Sequence, residues 1–216
     1  MYQLGPHHPM LLIFGQNYTG LYNDNSNGNY TFNLLQRLDH PSTPGVSTEN
    51  NILVNLGALI LATDADGDQA TGATNGLVIT VNDDSPIASA NQLTGTVDED
   101  GLPGGNAGGI GDIAGQATVA TGNVANMFLI GADTGATYQL GTDTSNLTPL
   151  TSGGVTVLYS VAGNLLTATA NGATVFTLSL ASNGDYTFTL SKGIDHPTGN
   201  NENNLNINLG SIIRAN

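Results

Sequence analysis

Three carboxylates, Asp64, Asp66 and Asp68, stand at every second position of Ala62-Thr63-Asp64-Ala65-Asp66-Gly67-Asp68, with a glycine between the last two. On an extended chain such residues share one side but are spread along it, and a turn at Gly67 folds their carboxylates towards one point. Hard oxygen donors gathered in this way suit Ca2+, which takes six to eight oxygens and tolerates irregular geometry. The competing reading is a solvated acidic turn between strands, and the spacing leaves both open. An EF-hand is excluded, because counting from Asp64 the sixth position is Gln69 rather than glycine and the twelfth is Asn75 rather than glutamate.

A second concentration of acid follows: Asp83 and Asp84, then Asp98, Glu99 and Asp100. An ion shared there between two units would stiffen a joint, and an ordinary acidic linker explains the same letters. Gly108-Gly109-Ile110-Gly111-Asp112 does not fit a calcium-binding nonapeptide repeat, since its aspartate falls one place early. Paired carboxylates can also serve glycoside hydrolysis, but nothing marks one of them for a raised pKa and no Trp is present to line a sugar subsite. The bases available to a serine nucleophile are His40 and His196, each within Asp-His-Pro. A catalytic centre need not be copied in every unit, whereas a structural contact must be. Asp39-His40-Pro41 and Asp195-His196-Pro197 therefore read as strand-end turns, with the imidazole bonded to nearby backbone or carboxylate, and the chain is expected not to be an enzyme. His7 and His8 stand in an atypical leader, and four histidines so placed do not suggest a transition-metal site.

The elements that would hold these residues follow from composition. Among 216 residues there are 17 Asp and Glu against 3 Lys and Arg, a formal charge of -14. Like charge makes nucleic acid and anionic lipid poor partners, and a cation the natural counter-charge. Gly, Asn, Thr and Ala crowd the chain while only 9% of residues are charged, a balance that favours short strands and turns over helices. Cysteine is absent, so neither disulfides nor thiolate sites contribute. No stretch reaches the roughly 18 apolar residues that span a bilayer, and Met10–Phe14 lacks the basic flank of a secretory signal. No membrane insertion is expected.

The chain repeats itself. Asn27-Gly28-Asn29-Tyr30-Thr31-Phe32 returns 156 residues later as Asn183-Gly184-Asp185-Tyr186-Thr187-Phe188, and Asp39-His40-Pro41 returns at the same spacing. After a three-residue length change, Glu49-Asn50-Asn51-Ile52 matches Glu202-Asn203-Asn204-Leu205, and Asn55-Leu56-Gly57 matches Asn208-Leu209-Gly210. That spacing is too long for a solenoid turn and fits a separate domain in a tandem array. Asp83-Asp84-Ser85-Pro86 marks the boundary, because Pro ends strand pairing. The expected organisation is an atypical leader over 1–26, either tag-derived or part of the first repeat. The C-terminal part of one repeat follows over 27–86, then most of the next over 87–216, stopping before its own acidic loop.

Within the second copy, Val155–Val161, Leu165–Ala170, Val175–Leu180 and Tyr186–Leu190 alternate apolar and polar residues around Gly163-Asn164, Asn171-Gly172 and Asn183-Gly184, strong hairpin signals. Further strands are expected at Ile52–Ala62, Gly76–Val81, Gln116–Ala120 and Leu205–Ile213, with a long loop over 98–115. The fold class is all-β, as antiparallel sandwiches.

The succession Tyr30-Thr31-Phe32, Asp39-His40-Pro41, Glu49-Asn50-Asn51, Ala62–Asp68, Val81–Pro86 and Val97–Leu102 resembles the tandem repeats of very large bacterial RTX-type adhesins exported by type I secretion. The leader departs from this pattern, and the second copy lacks the acidic loop. The resemblance implies immunoglobulin-like β-sandwich repeats that act as extenders at the cell surface and in biofilms, are made rigid by Ca2+ outside the cell, and have neighbouring repeats of the same chain as partners. A far C-terminal export signal, as in that family, would agree with the absence of an N-terminal one. Two other readings stay open: a subunit that polymerises with copies of itself, and a calcium-dependent module that binds glycan or another ligand.

Overall fold

The computed structural model describes residues 13–14, 18–22, 29–40, 50–106, 108, 115, 117–132, 135–197 and 203–216. His7, His8, Glu49, Glu202 and most of Gly108–Asp112 lie outside the described residues. The chain divides into two compact units, Met1–Ser85 and Pro86–Asn216.

In unit 1, β1 (Ile13–Phe14), β2 (Tyr18–Tyr22) and β3 (Thr31–Leu34) form an antiparallel sheet in that order. Part of 1–26 is thus paired, through β2, with the Tyr-Thr-Phe segment. Next come β4 (Asn51–Asn55), β5 (Leu61–Thr63), β6 (Gln69–Thr71) and β7 (Val78–Asn82). β4 pairs with β7, and β5 with β6, all antiparallel. The single strand expected over Ile52–Ala62 is divided by a 3-10 turn at Gly57–Leu59. The cause is packing. The Leu56 amide donates to the Leu77 carbonyl at 2.8 Å and its side chain is 2% exposed, while Gly57 is seated directly on the turn at Ala73–Leu77.

Unit 2 runs β8 (Ile87–Ala88), β9 (Val119–Asn123), β10 (Phe128–Leu129), β11 (Tyr138–Leu140), β12 (Thr151–Ser152), β13 (Val155–Thr156), β14 (Leu158–Ala162), β15 (Leu165–Ala170), β16 (Ala173–Leu180), β17 (Asp185–Leu190) and β18 (Ile213–Ala215). Its body is a five-stranded antiparallel sheet in the order β14-β15-β16-β17-β9. The turn between β15 and β16 needs left-handed backbone at both central residues, and Asn171 (φ 51°) and Gly172 (φ 76°) supply it. Alternation then sorts the faces: Leu166, Ala168 and Ala170 of β15 are buried, as are Phe176, Leu178 and Leu180 of β16, while Thr167 and Thr177 sit opposite each other on the other face.

A second layer closes the core. Tyr138 and Leu140 of β11, which pairs with β18, join Leu147, Leu150, Val157, Ile194 and Ile212 against the sheet. Phe176 and Phe188 stack with ring centroids 4.9 Å apart at the centre. Burial of this kind drives folding at roughly 25 cal/mol per Å² of apolar surface.

Two strand expectations in unit 2 need correction. Of Gln116–Ala120, Gln116 lies outside the described residues and the strand runs Val119–Asn123, while Leu205–Ile213 is a strand only from Ile213. Residues 204–208 keep the strand-like alternation of exposure, but among the described residues they have no ladder partner; a strand is defined by its neighbour as much as by its own side chains. The architecture of the described residues is all-β and antiparallel, with helix limited to 3-10 turns. No helix among them is long and apolar enough to cross a membrane.

Candidate metal centre

The acidic loop of unit 1 is the connection of the β5–β6 hairpin, where Thr63 and Gln69 are register partners and Asp64–Asp68 forms the bend. The Asp64 amide donates to the Asp68 carbonyl at 2.9 Å, closing the loop. Asp64 then anchors it from inside: its Oδ1 accepts the amides of Gly67 at 3.1 Å and Asp68 at 2.8 Å, the Asx-turn habit of aspartate. Gly67 (φ 102°) supplies a backbone conformation that a side chain would strain.

The turn brings one carboxylate oxygen from each of Asp64, Asp66 and Asp68 within 4.8 Å of one another, all three residues exposed. An ion about 2.3–2.6 Å from each ligand requires pairwise separations of no more than roughly 5 Å, so the donor set fits a hard cation and this cluster can hold a metal ion. The Asp66 side chain and the Asp68 amide, with smaller help from the amides of Gly67 and Asp66, hold the Asp64 carboxyl below its ordinary range against desolvation. A hydrogen bond between two carboxyl groups needs a proton between them; when both are ionised they repel, and a cation relieves the repulsion the proton would otherwise relieve.

The remaining acids are placed differently. Asp83 belongs to unit 1, where its Oδ1 lies 3.5 Å from His40 Nδ1 and also accepts the Asp84 amide at 2.9 Å. Asp98, Glu99 and Asp100 belong to unit 2, where Glu99–Gly101 is a 3-10 turn and Asp98 caps it, its Oδ1 accepting the Asp100 amide at 3.0 Å. Glu99 points away to another loop. Its Oε1 accepts the Ile194 amide at 2.7 Å and lies 3.4 Å from His196 Nε2. Among the described residues, Asp64, Asp66 and Asp68 alone form a group of three or more with metal-ligand convergence.

Both histidines are turn contacts. His40 Nδ1 lies 3.0 Å from the Leu38 carbonyl and its Nε2 3.3 Å from that of Val81, while His196 Nδ1 lies 2.9 Å from Asn203 Oδ1. Asp195 is a structural anchor that sequence reasoning did not single out. Its two oxygens accept the amides of Gly153 at 2.8 Å and Gly154 at 2.7 Å, both glycines with positive φ in the β12–β13 turn. The Gly154 bond first, then Thr151, Gly153 and the Lys192 charge, hold its carboxyl below the ordinary range, again against desolvation. A Gly-Gly pair between short apolar runs was the available signal for that turn.

Residues 81–215 match the model of a family described as a domain of unknown function, DUF5801, and the chain belongs to that family. Neither a curated protein nor a solved structure matches the chain.

Proposed function

We propose that the protein is a calcium-stabilised structural extender: a repeat of a large bacterial surface adhesin, secreted and without enzymatic activity, whose immunoglobulin-like sandwiches space and stiffen a long chain outside the cell. The observation that carries this reading is the convergence of Asp64, Asp66 and Asp68 on one turn of a chain with formal charge -14 and an internal repeat. In calcium-poor cytosol such a chain repels itself and stays loose for export. Millimolar external calcium neutralises the turn and favours the folded form by mass action, by about 2.7 kcal/mol at a calcium concentration a hundred times the dissociation constant. Calcium is preferred to magnesium because the turn is exposed and irregular, while magnesium demands near-ideal octahedral geometry. Asp83, Asp84, Asp98, Glu99 and Asp100 would then serve mainly in turns and histidine contacts. The reading without catalysis rests on the recurrence of His40 and His196 at one repeat position, where each contacts groups of its own turn.

The test is a calcium titration of the chain and of Asp66→Asn and Asp68→Asn. Saturable binding that falls at least tenfold in either variant supports the reading. Binding unchanged by both removes this loop as the site.

A further inference from the structure

The two faces of the five-stranded sheet carry different chemistry. The inner face holds Leu166, Ala168, Phe176, Leu178 and Phe188 in the core, and Leu205, Ile207 and Leu209 pack against that same core. The outer face is made of the alternate residues, and the registers set them in rows across the strands. Thr167, Thr177 and Thr189 stand side by side on β15, β16 and β17, and Ser179, Thr187 and Thr121 form the next row on β16, β17 and β9. Strand propensity accounts for threonines in such places. It does not account for Leu158, Leu165 and Val119, which lie on the same side as register partners of Thr169, Ser179 and Thr189 and are 68%, 42% and 45% exposed. Nor is the face charged. Among the residues of the five strands Asp185 alone is ionisable as an acid or a base of the Asp, Glu, Lys or Arg type; it opens β17 at the turn, where Asn123 and Asn183 hold its two oxygens at 2.7 and 2.8 Å.

Exposed apolar side chains set in an uncharged surface mark a place of contact. We propose that the outer face of the five-stranded sheet is a self-association surface, on which a second copy of unit 2 docks face to face. The chemistry is self-complementary: a threonine hydroxyl both donates and accepts, and the methyls and leucines of two such faces pack as stacked sheets do, about 10 Å apart. Charge selects the same occupant. A chain of formal charge -14 repels its copies wherever their acids face each other, and on this side two copies meet without that repulsion. A basic partner would be drawn instead to the acidic turns. Five strands about 4.8 Å apart, each presenting five residues at about 3.4 Å, give roughly 400 Å2 per copy. That is half of the roughly 800 Å2 per partner in a standard interface, so the contact is weak and reversible.

This inference goes beyond the calcium reading and does not rest on it, since Asp64, Asp66 and Asp68 belong to unit 1. The test follows translational diffusion and amide shifts of the full chain by NMR, in EDTA, over a concentration series reaching about 1 mM and at low and moderate salt. A reversible dimer is expected, with shifts at Thr167, Thr177 and Thr187, and salt should strengthen it because screening relieves the repulsion of like charges. Thr177→Glu, at the centre of the face, should raise the dissociation constant at least tenfold and leave the circular dichroism spectrum unchanged. If that variant does not fold, Leu158→Glu takes its place with the same expectation. No dimer, or a dimer unchanged by the substitution, overturns the proposal. So does association that salt weakens, which would mark contact between opposite charges. A chain that stays monomeric and instead binds a neutral oligosaccharide at Thr167 and Thr187 overturns it too, and assigns the face to a glycan.

Discussion

His40 and His196 hold the same place in two copies of one motif, yet the side chain of His40 is 8% exposed while that of His196 is 30% exposed. Leu56 and Leu209 differ likewise: the first is buried over the 73–77 turn, the second half-buried. In each pair the motif is constant and the neighbour is not. Unit 1 has the β6–β7 segment and hence a filled contact at His40, Ile52 and Gly57. Unit 2 has the five-stranded sheet and the large core. Among the described residues of unit 1, buried large apolar side chains are limited to Leu56 and Val81, while Leu53 and Leu61 are more than half exposed. Among the described residues, apolar burial is concentrated in unit 2, whereas those of unit 1 are held by turns and, on the proposed reading, by an ion at Asp64–Asp68.

Damage confined to the core of unit 2 has the largest expected effect. Phe176 is wholly buried and packed on Tyr159 and Phe188, so Phe176→Ala should cost about 3–5 kcal/mol in denaturant unfolding of unit 2. A smaller effect, of opposite location, is expected at the paired glycines. Gly57→Ala should destabilise unit 1 by about 1–3 kcal/mol or more, because a Cβ meets backbone, while Gly210→Ala should stay within about 0.5 kcal/mol in the chain alone. Equal costs at the two glycines, read by thermal unfolding, would contradict this difference in packing.

Acid provides a subtler probe. The folded pKa of Asp195 is lowered, so its contribution is present above the ordinary aspartate value of about 3.9 and is lost as pH falls through the lower folded value. Unfolding temperature measured against pH should therefore fall less steeply in acid for Asp195→Asn than for the unaltered chain. An identical slope would show that the β12–β13 turn does not depend on this carboxylate.

Much of this was legible in the sequence where the signal is local. The hairpins from Leu158 to Leu190 were readable because Asn-Gly turns and period-two alternation are short-range facts. The convergence of Asp64, Asp66 and Asp68 was readable because one glycine in one turn produces it. The strand expected at Leu205 is not formed because alternation does not by itself supply a ladder partner. Glu99 stands among acids in the sequence, whereas its contacts are Ile194 and His196, far along the chain. The role of Gly57 was equally hidden, since it depends on how closely the Ala73–Leu77 turn approaches.

The central claim is that calcium at the acidic turn stabilises the fold, and thermal unfolding in a few millimolar calcium, in EDTA and in magnesium tests it most directly. The account predicts an upward shift of several degrees with calcium alone, lost in Asp66→Asn. Equal unfolding temperatures in calcium and EDTA would contradict it and leave the turn as a solvated bend.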